Sequence, residues 1–245
     1  MSNERIIKQQ ARQALKGNLS VLIAGMGAVA VMVLMLDLVL QIPAIMLHLV
    51  DTETGLVKDG MQLNYVLLAV AAAILSVLAS PLFNGFLKLA ANTAVQKSCG
   101  ITDMFYYFGN PVRFFKTVLI NMALCCIFVV LTEPVGVVCD SFDDLWFAPA
   151  LTVGLVLWRI IVYIFLIHYP LAAYTLNDSR ALPHYLFGYI GFSFRHCGAL
   201  IKLLLTMAGW IALCFFVVPA VYVVPYLAVV LMNSARWLLT VNQKV

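Results

Sequence analysis

Charge is what this chain has least of. Of its 245 residues only 11% are Asp, Glu, Lys or Arg, against about 25% in soluble domains. Hydrophobic side chains make up 64%. A fold bathed in water has no use for so much apolar surface, so the solvent this composition specifies is lipid. Other absences narrow the chemistry. The six cysteines, Cys99, Cys125, Cys126, Cys139, Cys197 and Cys214, contain no CxxC pair. That argues against a disulfide framework or a zinc site and for small, buried, reduced thiols. The histidines, His48, His168, His184 and His196, have no metal-ligand spacing, and HExxH and GxSxG are missing. Without a Walker A or GxGxxG loop, nucleotide-driven work would need another subunit. No metal or cofactor is expected, and an enzymatic role is disfavoured. Basic residues are nowhere dense enough for nucleic acid. The amino terminus stays polar and basic too long before its first apolar run to read as a cleavable signal peptide.

What the chain has in abundance is long apolar runs. They predict an all-α, polytopic membrane protein: one integral membrane domain, a bundle of six transmembrane helices. The spans fall at about 19–40, 65–87, 117–138, 147–169, 200–218 and 221–239. The final run, Ala199 to Leu239, would reach about 60 Å as one helix, twice the hydrocarbon core, so Pro219 and Pro225 are expected to divide it. Ala24, Gly25, Gly27 and Ala28 give the first span a surface for close helix contact. Three segments read as amphipathic interfacial helices on the cytoplasmic side: 4–17, 103–115 and 183–196. The first sets Ile6, Ile7, Ala11, Ala14 and Leu15 against Arg5, Lys8, Arg12 and Lys16. The other two are rich in aromatics, which suit the headgroup zone.

Charge placement orients these spans. With the amino terminus in the cytoplasm, all of the 15 basic residues but Lys58 and Arg159 fall on inner segments. The outer loops carry Asp51, Glu53, Asp59, Asp140, Asp143 and Asp144. This bias places both termini in the cytoplasm. Each even-numbered span also pairs a proline with a later asparagine: Pro81 with Asn92, Pro170 with Asn177, Pro225 with Asn233. The pattern suggests three helical hairpins.

Two sets of residues stand out as candidate sites. Arg159 lies near the middle of the fourth span, where a lone charge is costly, so it needs a partner. Glu133 and Asp37, in the outer half of the third and first spans, are within its reach. The trio reads either as a polar intramembrane site or as a buried latch between helices. Near the inner face, Asn84, Lys88 and Asn92 repeat at i, i+4, i+8 and share one helix face. With His168, Tyr169, Asn233, Arg113 and Arg195 they form candidates for lipid-headgroup contact or a vestibule.

The segments ARQALKGN, YPLAAYTLNDSRAL, GALIKLLLTMAGW and VVPYLAVVL resemble a bacterial family of six-pass integral membrane proteins of the Firmicutes type. That family is in turn distantly similar to the membrane domain joined to some glycerophosphodiester phosphodiesterases. The shared positions, Gly17, Gly209-Trp210 and Pro225-Tyr226, mark helix ends. The resemblance implies an all-helical plasma-membrane protein and brings no established activity, so no functional residue carries over. Besides a disfavoured intramembrane enzyme, two functions remain on these residues. One is a small transporter or transporter-associated subunit with a polar path at Arg159, Glu133 and Asp37. The other is a non-catalytic membrane protein binding lipid, a partner protein or a second copy of itself. A water-filled cavity reaching Arg159 would favour the first. A closed Arg159 pair beside apolar crevices would favour the second.

Overall fold

A computed structural model describes residues 3–51, 57–58, 60–95, 99–140, 148–177, 183, 187–213 and 217–242. Among these the chain is helical, apart from one isolated bridge between Val50 and Val57. Helix α1 is Asn3–Leu15 and α2 is Leu19–Met46. They are followed by α3, Gln62–Ala79, and α4, Pro81–Ala94. A short 3₁₀ turn, Ile101–Phe105, precedes α5, Pro111–Asp140. Next come α6, Ala148–Val162, a π-helical turn, Tyr163–His168, and α7, Tyr169–Leu176. The chain closes with α8, Tyr189–Arg195, α9, Cys197–Leu213, and α10, Val217–Asn242.

Five helical segments are long and apolar enough to cross a membrane: α2, α3 with α4, α5, α6 through α7, and α10. A sixth results if α8 and α9, bent by 72°, count as one span. The last apolar run thus divides earlier than expected. The helix before it, α9, ends at Leu213 and α10 already begins at Val217, so Pro219 sits in the first turn of α10, where a missing N–H costs nothing.

Proline chemistry sets the other breaks. Pro81 has no N–H for the Val77 carbonyl, so Ser80 supplies its own backbone N–H and its hydroxyl instead. Pro170 likewise cannot serve the Leu166 carbonyl, and the π turn before it absorbs the mismatch. Pro43, expected to bend or end the first span, lies inside α2, which runs on to Met46. Gly17, at φ +96°, ends α1 in the left-handed region that a side chain disfavours and turns the chain into α2.

The core gathers at one end of the bundle. It is built from α4, α7 and α10, with α1 and the 3₁₀ turn packed onto them. Ile7, Ala11, Ala14 and Leu15 of α1 are buried there against protein, whereas Ile6 remains exposed. Lys8 Nζ donates to the Thr206 carbonyl at 3.0 Å, and Lys202 pairs with Glu4 at 3.3 Å, strapping α1 to α9. Partial burial holds the Lys8 pKa below the ordinary lysine value, Glu4 opposing and Arg12 reinforcing the effect. Met104 and Tyr107, from the aromatic segment 103–115, are wholly buried, while Phe105, Phe108 and Phe115 stay exposed. Residues 184–186 of segment 183–196 lie outside the described residues, as do Glu53, Asp59, Asp143 and Asp144 of the acidic loops.

Two glycines fix this packing. A Cβ on Gly85 would overlap the Met104 carbonyl, so α4 meets the 3₁₀ turn backbone to backbone. A Cβ on Gly25 would come within 2.9 Å of Leu89 Cδ2, so Gly25 provides the close contact of the first span; Gly27 faces open space. Toward the other end the helices splay, and large apolar residues of α2, α3, α5 and α6 face outward. The expectation of buried cysteines is corrected here. Cys125, Cys126 and Cys197 are exposed, Cys99 and Cys139 half-buried, and Cys214 lies outside the described residues. A thiol facing lipid carries little penalty, so nothing forces it inward.

Candidate functional site

Arg159 Nη2 meets Glu133 Oε1 at 3.3 Å, joining α6 to α5. Trp158 Nε1 donates to the Leu131 carbonyl at 3.2 Å in the same hairpin. Gly136 lies beside the guanidinium, where a Cβ would stand 3.4 Å from Arg159 Nη2. Asp37 stands apart from this pair. Its carboxylate accepts a hydrogen bond from Gln41 at 2.7 Å, one turn along α2. The expected trio is therefore a pair plus a separate acid. The pair is more than a third exposed on both sides, and within a membrane-crossing hairpin that exposure is to lipid, where either charge without the other is costly.

A second set of polar groups forms a layer where the packed end begins. Asn121 of α5, absent from the sequence-based set, is its hub. Its Nδ2 donates to Ser80 Oγ at 2.8 Å and to Asn84 Oδ1 at 3.1 Å. Asn121 Oδ1 and Asn84 Nδ2 have no partner. Each such buried polar atom left unbonded costs about 1–3 kcal/mol. In the same layer Tyr169 and Ser234 share a hydrogen bond of 2.6 Å between α7 and α10. His168 and Asn233 are buried beside them, with Nε2 and Nδ2 unbonded. The signal for Asn121 was legible: it is the lone amide in an apolar run of the third span.

Beyond that layer lies a cluster of cations and rings. Lys88 Nζ donates to the Thr175 carbonyl at 2.9 Å and sits 4.9 Å from the Tyr106 ring centre. Arg113 lies 4.5 Å from the same ring, and Lys116 5.5 Å from that of Tyr174. Tyr174 bonds Thr117 at 2.8 Å and stacks on Tyr107. Asn92 donates to Asp103 at 3.1 Å. Asn84, Lys88 and Asn92 thus tie one face of α4 to three neighbours in turn: α5, α7 and the 3₁₀ turn. Arg195 ends α8 in an exposed position and joins none of them.

Besides a more polar crevice of about 560 Å³ at Asp37, Gln41, Asp51 and Tyr65, two apolar crevices open between the splayed helices. The larger, about 630 Å³, runs between α2, α3 and α5. Its walls are apolar except for Asp37 at one end and Ser76, Ser80 and Asn121 toward the other. The smaller, about 460 Å³, lies between α6, α9 and α10. Carbon lines it throughout: Phe128, Val156, Leu203, Met207, Leu227 and their neighbours, with Arg159 its charged residue. Tyr163, in the π turn, stands in the wall of both.

These features define a class: an all-helical membrane protein whose helices pack tightly at one end and part around apolar crevices toward the other. No protein-family model matches the chain, and comparison with curated proteins and with solved structures gives no match.

Proposed function

We propose that this protein binds lipid in its helix crevices, as a non-catalytic multi-pass protein of a bacterial plasma membrane with both termini cytoplasmic. The observation that carries the reading is the smaller crevice. It reaches Arg159, and its other lining residues are apolar, Tyr163 aside. A hydrophilic solute moving past Arg159 needs hydrogen-bonding groups in succession, because each unmet polar group at hydrocarbon depth costs free energy. Acyl chains need only the carbon walls that are there. Glu133 supports the reading by holding Arg159 as a latch between α5 and α6. The transporter-subunit reading has one observation in its favour, the polar groups at both ends of the larger crevice.

Native mass spectrometry of the purified chain tests the proposal. Co-purifying lipid is expected on the parent protein. Val33→Trp and Val156→Trp, at exposed lining positions of the two crevices, are each expected to reduce it. Solute flux in liposomes, abolished by Glu133→Gln in a protein that still folds, would instead establish transport. Orientation is tested separately by reporter fusions. A reporter at residues 55–60 should read outside and one at 100–110 inside, and the reverse pattern sinks the assignment of the termini.

A further inference from the structure

We propose that the packed end carries a binding site for an anionic phospholipid, its phosphate held by Lys88, Arg113 and Lys116 and its tails laid along α5. The site lies outside both apolar crevices, so it does not depend on what they hold. The rings place the cations. Lys88 and Arg113 both rest on Tyr106, at 4.9 and 4.5 Å from its centre. Lys116 follows Arg113 by one turn of α5 and lies over Tyr174. Tyr174 stacks on Tyr107, and Tyr107 meets Tyr106 edge-on at 5.1 Å. One cluster of three rings therefore gathers all three charges. A ring face attracts a cation but cancels none of its charge.

The charge balance names the head. The segments that build the cluster, 81–94, 101–117 and 169–176, contain these three cations and a single carboxylate, Asp103. Helix α5 adds to the excess. It begins at Pro111, so Arg113 and Lys116 stand in its first two turns, where the helix dipole is positive and disfavours cations. Like charges gathered at that end repel one another, and an anion beside them relieves the repulsion. Phosphate oxygens accept from ammonium and guanidinium groups alike. An apolar stripe makes the anion a lipid. Val112, Phe115, Leu119 and Met122 of α5 are exposed and follow at i, i+3, i+7 and i+10. The stripe starts beside the cations and runs toward the splayed end. Phe105 and Phe108, joined to it through the Phe114 ring, flank its start. A phospholipid with its head at Arg113 and Lys116 lays its acyl chains on this stripe. Free phosphate would use only the charged half of the site.

The test titrates the purified full chain in detergent micelles with phosphatidylglycerol or phosphatidylcholine and reads bound lipid by native mass spectrometry. Phosphatidylglycerol is expected to bind about tenfold more tightly, as cations at a membrane surface favour anionic heads. Excess inorganic phosphate should not displace it. Arg113→Gln combined with Lys116→Gln should lower phosphatidylglycerol to the phosphatidylcholine level and leave phosphatidylcholine unchanged. Val112→Glu, at the exposed start of the stripe, should also remove the preference, and it decides if the double variant fails to fold. Arg195→Gln, at an exposed cation outside the cluster, should keep it. Equal binding of the two lipids, a preference that survives Val112→Glu and the double variant, or one lost equally in Arg195→Gln overturns the headgroup site and leaves crevice binding standing. Displacement by inorganic phosphate overturns the lipid assignment in favour of a free anion. Neither lipid on the parent protein overturns this site and the crevice reading together.

Discussion

The two ends of the bundle are held by different forces. In α10, 61% of the membrane-length stretch is buried inside the protein; in α2 the figure is 11%. The packed end joins α4, α7 and α10 through the Tyr169–Ser234 and Lys88–Thr175 hydrogen bonds and rings stacked around Tyr174. At the splayed end α2 pairs with α3 and α5 with α6, and their leucines and valines turn outward. Length explains the contrast. The α3–α4 segment, Gln62–Ala94, has 33 residues and spans about 50 Å, more than the roughly 30 Å of hydrocarbon. If its exposed apolar residues from Leu63 to Leu78 mark the belt, α4 stands at headgroup depth or beyond. Water reaches that zone and drives apolar groups together. Within hydrocarbon no such drive exists between helices, since lipid tails are as apolar as leucine. The crevices lie on the hydrocarbon side of that boundary, where close packing is least enforced.

Paired substitutions test this difference between the two ends. Leu87→Ala, fully buried in α4, is expected to cost about 2–5 kcal/mol. Leu34→Ala, outward-facing in α2, should stay within about 0.5 kcal/mol. Reversible unfolding in bicelles measures both, and equal losses would mean the ends are built alike. Gly85→Ala comes next, at about 1–3 kcal/mol, because the new methyl must push the Met104 backbone away. Thermal denaturation at unchanged helicity reads it; a neutral result would show that the α4 contact with the 3₁₀ turn is loose. Glu133→Gln leaves Arg159 without its partner at mid-span and is expected to cost up to about 3 kcal/mol. Recovery in the Glu133→Gln, Arg159→Gln double variant is expected, and no loss in the single variant would show that the splayed end does not depend on its ion pair.

Much of this was readable in the residues. Long apolar runs set the helical class, and one charge at mid-span needing another within reach narrowed the partner of Arg159 to Glu133 or Asp37, of which it meets Glu133. The prolines marked more than expected: Pro81 and Pro170 open α4 and α7, Pro225 lies within α10, and these three helices converge in the core. Asp37 was misjudged because depth along an axis says nothing of rotation about it, and its helix turns it toward Gln41. The burial of Met104 and Tyr107 was hidden because an aromatic-rich turn looks the same whether its rings face headgroups or protein. The division of the last run was misplaced because proline in a first turn does not end a helix.

The π turn at Tyr163–His168 has a bearing on the length of this span. It inserts one residue into a helical turn, which rotates everything after it by about 100° relative to an unbroken α-helix. Arg159, before the turn, is phased to meet Glu133; Tyr169 and Tyr174, after it, are phased to meet Ser234 and Thr117. A straight helix of the same residues would satisfy one set and swing the other away. Deleting a single residue between 163 and 168 would therefore act as a twist rather than a shortening, uncoupling the latch of the open end from the anchor of the closed one.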